Sequence, residues 1–156
     1  MNLFRYALQN EIASLEKEGT AVRCIGNRAR LPKDIQELVE KTEKKNSKLN
    51  GPTLVLAVSY GGREEIVEGV RKILSSGISP ESVDEKTFSS ALFTEGIPDP
   101  DIIIRTGGEV RLSNFLPWQS VYSEFFFTKT YWPDFSKTEF DSMMNAYAKR
   151  ERRIGN

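Results

Sequence analysis

Short apolar runs rich in β-branched residues alternate along this chain with longer segments of helical periodicity. Residues 53–58 form a continuous apolar run, which is typical of a strand buried on both faces. Residues 21–25, 102–104 and 125–127 are shorter strand candidates. Strands that alternate with helices favour parallel pairing. The order predicts an α/β fold with a mostly parallel sheet and helices on both faces, and the length of 156 residues predicts one α/β domain over residues 1–156.

Four segments carry apolar side chains at helical spacing. Their apolar positions are Phe4, Leu8, Ile12 and Leu15; Ile35, Leu38, Val39 and Thr42; Ile66, Val67, Val70, Ile73 and Leu74; and Phe140, Met143, Met144 and Tyr147. Gly19 follows the first segment in a position typical of a helix end, and Pro32 precedes the second as a helix opener.

Two further short helices are predicted, and capping residues mark the start of the first of these and of the final helix. Ser82 and Glu85 have the spacing of a capping box and predict a short helix before Pro98. Ser136 and Glu139 form a second box at the start of the final helix, where Phe135 and Phe140 have the spacing of a hydrophobic staple. Another short helix is expected over residues 114–120.

Composition excludes several chemistries. The chain has no histidine, which removes histidine-based triads, HExxH metalloproteases and histidine-ligated haem. Its one cysteine, Cys24, cannot form an intrachain disulfide, and we expect it to be a small buried apolar residue in a reducing, cytoplasmic setting. Twenty-two basic residues balance 22 acidic ones, so nucleic acid is not an expected partner. No apolar run approaches the roughly 20 residues of a transmembrane helix.

Glycine and arginine occur together in three loops that follow predicted strands. These loops are Gly26-Asn27-Arg28, residues 59–63 and residues 105–114. In open α/β sheets, ligands bind beyond the carboxyl ends of the strands. Glycine lets the backbone come close to a ligand, and arginine can bind a phosphate through two hydrogen bonds. Arg105, Arg111, the Ser113 hydroxyl and the N–H groups of a helix after Asn114 could converge on one diphosphate. Glycine turns with solvated arginines and an N-capping Ser113 explain the composition equally well.

A longer pattern resembles a known family. Residues 98–109 read PDPDIIIRTGGE and residues 111–119 read RLSNFLPWQ; YSE at 122–124 and WPDF at 132–135 follow. Together with SYGGR at 59–63 and RERRIG at 150–155, they look like the motifs of the cis-prenyltransferases, the undecaprenyl diphosphate synthase family.

The resemblance implies an enzyme that adds isopentenyl diphosphate to an allylic diphosphate such as farnesyl diphosphate, with Mg²⁺, to give a polyprenyl diphosphate. Arg105, Arg111 and Ser113 match the family's ligands of isopentenyl diphosphate, Asn114 follows them, and Glu124 matches its metal-associated carboxylate. Mg²⁺ commonly binds one or two carboxylates together with substrate phosphates, which agrees with this assignment. The cysteine count and the lack of a long apolar run predict a cytoplasmic protein. The lipid product that the resemblance implies would bring it to the membrane surface.

The resemblance also implies an apolar tunnel for the growing chain and a homodimer. Leu54, Leu56 and Val58 on one strand, with Phe4 and Leu8 on the first helix, match the tunnel segments, although periodicity alone makes them ordinary core. The aromatic residues at 125–127, with Tyr131, Trp132 and Phe135, offer apolar surface for a subunit contact. The resemblance implies that the basic residues from Lys149 to Arg153 help to complete the site. Alternatively, their positive charges stabilise the C-terminal end of the last helix.

One family segment has no counterpart here. The family begins with a strand and an Asp-Gly-Asn-Gly-Arg loop that holds the allylic diphosphate and carries the catalytic aspartate, so no catalytic residue is assigned in this chain. We therefore expect that the gene product is longer or that this sequence lacks its beginning, and that the 156 residues alone are inactive. The alternative is a non-catalytic accessory subunit of a cis-prenyltransferase complex. A nucleic-acid binder, from the basic ending, ranks third.

Overall fold

The computed structural model describes residues 2–46 and 49–150. The chain divides into two compact units, Met1–Glu95 and Gly96–Asn156. Strands and helices alternate in the first unit, the second unit has two strands followed by a helix, and all observed strand pairing is parallel, which is consistent with the α/β fold class. The single domain over residues 1–156 stays a prediction.

The first unit begins with an almost continuous helical stretch and then alternates strands with helices. Its elements are α1 (Asn2–Tyr6), a π-helical segment (Ala7–Glu11), α2 (Ile12–Lys17), β1 (Ala21–Ile25), α3 (Lys33–Asn46), β2 (Thr53–Ala57), α4 (Gly62–Ser76) and α5 (Glu85–Ser89). Gly19 ends the stretch as predicted, because it adopts a φ of +78° and the N–H of Thr20 donates to the carbonyl of Leu15 at 2.9 Å.

The core of this unit lies where the opening helices and α3 pack on β1. The buried side chains that form it are Leu8, Ile12, Val22, Cys24, Leu31, Ile35 and Val39. Ile35 and Val22 are completely buried. The predicted helical faces of the opening segment and α3 are therefore confirmed.

Strand β2 departs from the prediction. It pairs in parallel with β1, from Ala21 opposite Thr53 to Ile25 opposite Ala57. Its residues are nevertheless exposed or half-buried, and Leu54 keeps 39 % of its surface accessible. A strand buried on both faces was the wrong expectation, because among the described residues β2 pairs with β1 alone.

Helix α4 buries only part of its predicted apolar face, because Ile73 is buried but Val67 and Val70 are exposed. Gly62, Glu65, Gly69 and Ile73 are its buried residues, whereas Leu74 is 76 % exposed. A Cβ on Gly69 would lie 3.0 Å from Leu92 Cδ2, so the glycine allows the close approach of the segment that holds Leu92. The short helix α5 is present, but its N-cap is Asp84, whose side chain accepts from the N–H of Thr87 at 2.7 Å, and not the predicted Ser82.

The second unit contains the parallel pair β3 (Ile102–Arg105) and β4 (Glu124–Phe127), followed by α6 (Lys137–Ala148). Ile103 is the buried residue of β3. Ser136 caps α6 as predicted and accepts from the N–H of Glu139 at 3.2 Å. The stripe of α6 was predicted to be buried, but Phe140 is exposed and Met143, Met144 and Tyr147 are half-buried.

Candidate anion-binding site

The loop after β3 turns sharply at two glycines. Gly107 and Gly108 have φ values of +88° and +83°, which residues with a Cβ rarely adopt. Their N–H groups donate to the carbonyls of Thr130 at 2.9 Å and Thr128 at 2.8 Å. The turn brings residues 109–113 back towards the end of β3.

Arg105 and Ser113 meet within this loop. Arg105 Nη1 donates to Ser113 Oγ at 2.8 Å and also contacts the carbonyl oxygen of Arg111. Because the Ser113 oxygen accepts from Arg105, the hydroxyl hydrogen points elsewhere and can donate to an anion. The Ser113 hydroxyl is therefore available as a donor beside the Arg105 guanidinium.

Arg111 carries the second cation of the loop. Its guanidinium pairs with the Glu109 carboxylate, and both side chains are largely exposed. A surface ion pair of this kind is worth about 0–1 kcal/mol. A phosphate that offers charge-assisted hydrogen bonds of about 1.5–3 kcal/mol can take Arg111 from Glu109.

The predicted short helix over residues 114–120 is wrong. Ser113, Asn114 and Leu116 have φ values of +48°, +67° and +48°, and turns replace the helix. Left-handed residues cannot continue a right-handed helix, and Pro117 offers no N–H to one. The loop consequently offers an anion no helix N-terminus here, and Asn114 lies in the turn directly after Ser113.

A cavity of about 300 Å³ lies against the loop. Its walls are Ile103, Ile104, Arg105, Arg111, Leu112, Ser113, Phe115 and Phe127. The two arginines and the serine form its polar part, and the isoleucines and phenylalanines form its apolar part. This division fits a small ligand with an anionic head and a short apolar tail.

Glu124, the predicted metal ligand, begins β4 and is held by a cation. Its carboxylate pairs with Arg150, whose guanidinium also lies 4.6 Å from the centre of the Phe126 ring. No group of three acidic, cysteine or histidine side chains that could bind a metal occurs among the residues described. Glu124 therefore fits Mg²⁺ only as a single carboxylate that substrate phosphates supplement.

The glycine and arginine loop after β1 has a structural role. Arg28 donates to both carboxylate oxygens of Glu43, at 2.7 and 2.8 Å, and to the carbonyl of Cys24 at 2.6 Å. Asn27 and Arg30 both contact the Glu64 carboxylate. The Glu43 carboxylate therefore neutralises Arg28, the arginine of this loop that the sequence offered to an anion.

The loop after β2 packs against it. A Cβ on Gly26 would lie 2.2 Å from the carbonyl oxygen of Val58, so only glycine fits there. In the second loop Ser59 has a φ of +52°. The Tyr60 hydroxyl donates at 2.5 Å to Glu65, which is completely buried.

The predicted tunnel residues lie in or beside the core of the first unit. Leu8 belongs to the buried cluster, Phe4, Leu56 and Val58 pack against it, and Leu54 is exposed. A groove of about 320 Å³ borders Leu8 and Ile12, with Lys41 and Lys45 on its rim. The tunnel itself stays a prediction. Residues 151–155 of the basic ending lie outside the described residues.

Sequence reasoning missed the side chains that brace the anion-binding loop. Thr128, Thr130 and Glu139 hold its first turn, and Phe115 and Phe127 line the cavity. The capping-box pattern assigned the Glu139 carboxylate to its own helix. The missed signal is the pair of threonines two residues apart, directly after a strand.

Comparison with known proteins gives a consistent result. A family model described as putative undecaprenyl diphosphate synthase matches residues 1–155. The chain is 42 % identical to an isoprenyl transferase of Thermotoga maritima, over 99 % of this chain and 67 % of the relative. It is 40 % identical to the farnesyl-diphosphate-specific ditrans,polycis-undecaprenyl-diphosphate synthase of Escherichia coli K12, over 99 % of this chain and 63 % of that protein.

Solved structures agree. A lavandulyl diphosphate synthase from Lavandula x intermedia, in complex with dimethylallyl diphosphate, superposes with a TM-score of 0.91 at 34 % identity, over 99 % of this chain and 69 % of that one. A probable undecaprenyl diphosphate synthase from Campylobacter jejuni gives a TM-score of 0.88 at 30 % identity, over 99 % of this chain and 72 % of that one. The chain spans about two thirds of the length of the relatives it matches.

Proposed function

Because the chain belongs to the undecaprenyl diphosphate synthase family, we propose that it carries the isopentenyl diphosphate site of a cis-prenyl chain-elongating enzyme. The observation that supports this most is the cavity beside Arg105, Arg111 and Ser113, with its cationic and apolar parts. A diphosphate occupies the cationic part, and a five-carbon tail lies against Phe115 and Phe127. The second substrate is an allylic diphosphate such as farnesyl diphosphate.

The chain's own groups hold the acceptor in place for condensation. Arg105 and Ser113 donate to one phosphate, and Arg111 exchanges Glu109 for the diphosphate. Fixing the acceptor in this way supplies the orientation that a two-substrate reaction needs. Glu124, together with phosphate oxygens, would hold Mg²⁺, which would supply charge stabilisation for the diphosphates.

Two further properties belong to this proposal. The protein acts as a homodimer, since Tyr131 and Trp132 are 69 % and 74 % exposed on a surface that a second copy can cover. It works in the cytoplasm, where its lipid product draws it to the membrane surface. Within the part of the chain that the structure describes, each helix is too short or too polar for a membrane crossing.

A non-catalytic accessory subunit is the second candidate. The Glu109–Arg111 and Glu124–Arg150 ion pairs favour it, because both occupy groups that substrates and metal would need. The two candidates differ in whether isopentenyl diphosphate displaces these pairs.

Titration calorimetry with isopentenyl diphosphate, and with inorganic pyrophosphate as the headgroup alone, tests the site. We expect Arg111→Ala to weaken both affinities by about 1.5–3 kcal/mol, because a charge-assisted contact is lost. Arg71→Ala is the matched control, since Arg71 pairs with Glu68 on the exposed face of α4. Equal affinity in the Arg111 variant, or an equal loss in the control, would contradict the assignment.

A further inference from the structure

Residues 128–130, which follow β4, make backbone hydrogen bonds with residues 105–108 at the start of the anion-binding loop. The N–H of Thr128 donates to the carbonyl of Arg105 at 3.0 Å, and the carbonyls of Thr128 and Thr130 accept from Gly108 and Gly107. Three backbone hydrogen bonds therefore join residues 105–108 to residues 128–130. The place of the Arg105 guanidinium beside Ser113 depends on this junction.

The glycine turn needs such support. At positive φ, Gly107 and Gly108 continue neither β3 nor a helix, and glycine is the residue with the most conformational freedom to lose. Side chains crowd neither residue, because a Cβ on Gly107 would lie no closer than 3.8 Å to Tyr131. The hydrogen bonds to residues 128 and 130 are thus the main restraint on the turn.

One carboxylate on α6 orients both threonines. Glu139 Oε1 accepts from Thr128 Oγ1 at 2.5 Å and from Thr130 Oγ1 at 3.3 Å. Thr128 Oγ1 in turn accepts from the N–H of Thr130 at 3.1 Å. All three side chains are partly buried, where hydrogen bonds to a charged acceptor are strong.

Helix capping does not use this carboxylate. The N–H of Glu139 donates to Ser136 Oγ, whereas the Glu139 side chain bonds the threonines outside the helix. The cap of α6 and the brace of the loop are therefore separate interactions, and substitutions can remove one without the other.

We propose that Glu139 is a positioning residue for the diphosphate site, acting through Thr128 and Thr130 on the turn at Gly107 and Gly108. The inference deepens the proposed function and rests on it. The proposal and simple electrostatics predict opposite effects of removing the Glu139 charge on anion affinity. Removing a negative charge from the vicinity of an anion site should strengthen anion binding, whereas loss of the brace should weaken it.

Three variants of the full chain test the proposal, with inorganic pyrophosphate as the probe. We expect Glu139→Ala to weaken pyrophosphate binding about tenfold, since the loop loses its charged hydrogen-bond acceptor. Glu139→Gln keeps an acceptor oxygen for the threonines and should stay within about threefold of the wild type. Ser136→Ala removes the cap, lowers thermal stability and should leave pyrophosphate affinity within about twofold.

Amide hydrogen exchange of Gly107 and Gly108 is the second readout. We expect faster exchange in Glu139→Ala and wild-type rates in Ser136→Ala. Unchanged or tighter pyrophosphate binding in Glu139→Ala, or an equal loss in Ser136→Ala, would overturn the proposal. If wild-type protein fails to bind pyrophosphate, the proposed function fails, and the exchange rates still decide whether Glu139 braces the turn.

Discussion

The arginines of this chain differ in how tightly carboxylates hold them, and the difference separates structural from ligand-binding roles. Arg28 is fixed by two hydrogen bonds to Glu43 and one to a backbone carbonyl. Among the residues that the structure describes, Arg111 pairs with the exposed Glu109, two residues away. In the sequence, Arg28 and Arg111 look alike, because each lies near a glycine. The greater exposure of the Arg111–Glu109 pair, and the smaller number of contacts that it makes, mark Arg111 as an arginine that a phosphate can capture.

Cys24 illustrates how the same network affects a buried group. Burial raises the pKa of its thiol from 9.0 to about 11, and the Glu43 carboxylate adds to the effect while Arg28 opposes it. The folded state holds the thiol proton more tightly than the unfolded state does. The stability that this contributes is complete below pH 9 and is lost as the pH rises towards 11.

Urea unfolding at pH 8 and pH 10.5 measures this contribution. Wild-type protein should lose about 1–2 kcal/mol more unfolding free energy between these pH values than Cys24→Ala does, because the variant has no thiol to ionise. Other groups titrate in both proteins and cancel in the comparison. Equal losses would show that the thiol pKa is not raised.

At the scale of elements, local signals predicted helix ends well. Gly19 at the end of the opening helical stretch and Ser136 at the start of α6 act within their own turns, so neighbouring residues in the sequence suffice. The α5 cap was misplaced by two residues because Ser82 and Asp84 are both good capping residues.

Features that depend on distant partners were not predictable. The burial of β2 depends on what covers it, and the buried face of α4 depends on the fit between Gly69 and Leu92. The helix expected at 114–120 does not form, because Ser113, Asn114 and Leu116 adopt left-handed backbone conformations in the loop. Each of these conformations costs about 1–3 kcal/mol of backbone strain. The sequence predicted Arg105, Arg111 and Ser113 as site residues, and the structure places them around one cavity, whereas the contacts of Glu139 with Thr128 and Thr130 were not predicted.

At the scale of the whole molecule, the exposed aromatic residues predict self-association. Trp132 stacks on Phe135 with 6.1 Å between ring centres and keeps most of its surface accessible. We expect sedimentation velocity to show a dimer at micromolar concentration and Trp132→Lys to shift it to monomer, because a charge would be buried in the contact.

Leu74→Lys is the matched control, since Leu74 is equally exposed but lies on α4. This variant should remain dimeric. A monomeric wild-type protein, or a Trp132 variant that dimerises normally, would rule out this surface as the subunit contact.

The central claim is that this chain holds the acceptor half of an elongating site. Incorporation of labelled isopentenyl diphosphate into extractable lipid, with farnesyl diphosphate and Mg²⁺, measures it most directly. We expect no product from the 156 residues alone, because the chain has no recognisable group for the donor diphosphate. We expect product when they follow a family segment carrying the Asp-Gly-Asn-Gly-Arg loop, and at least about a tenfold loss when Arg111→Ala is added. Equal turnover by the short and extended chains, or full activity without Arg111, would contradict the account.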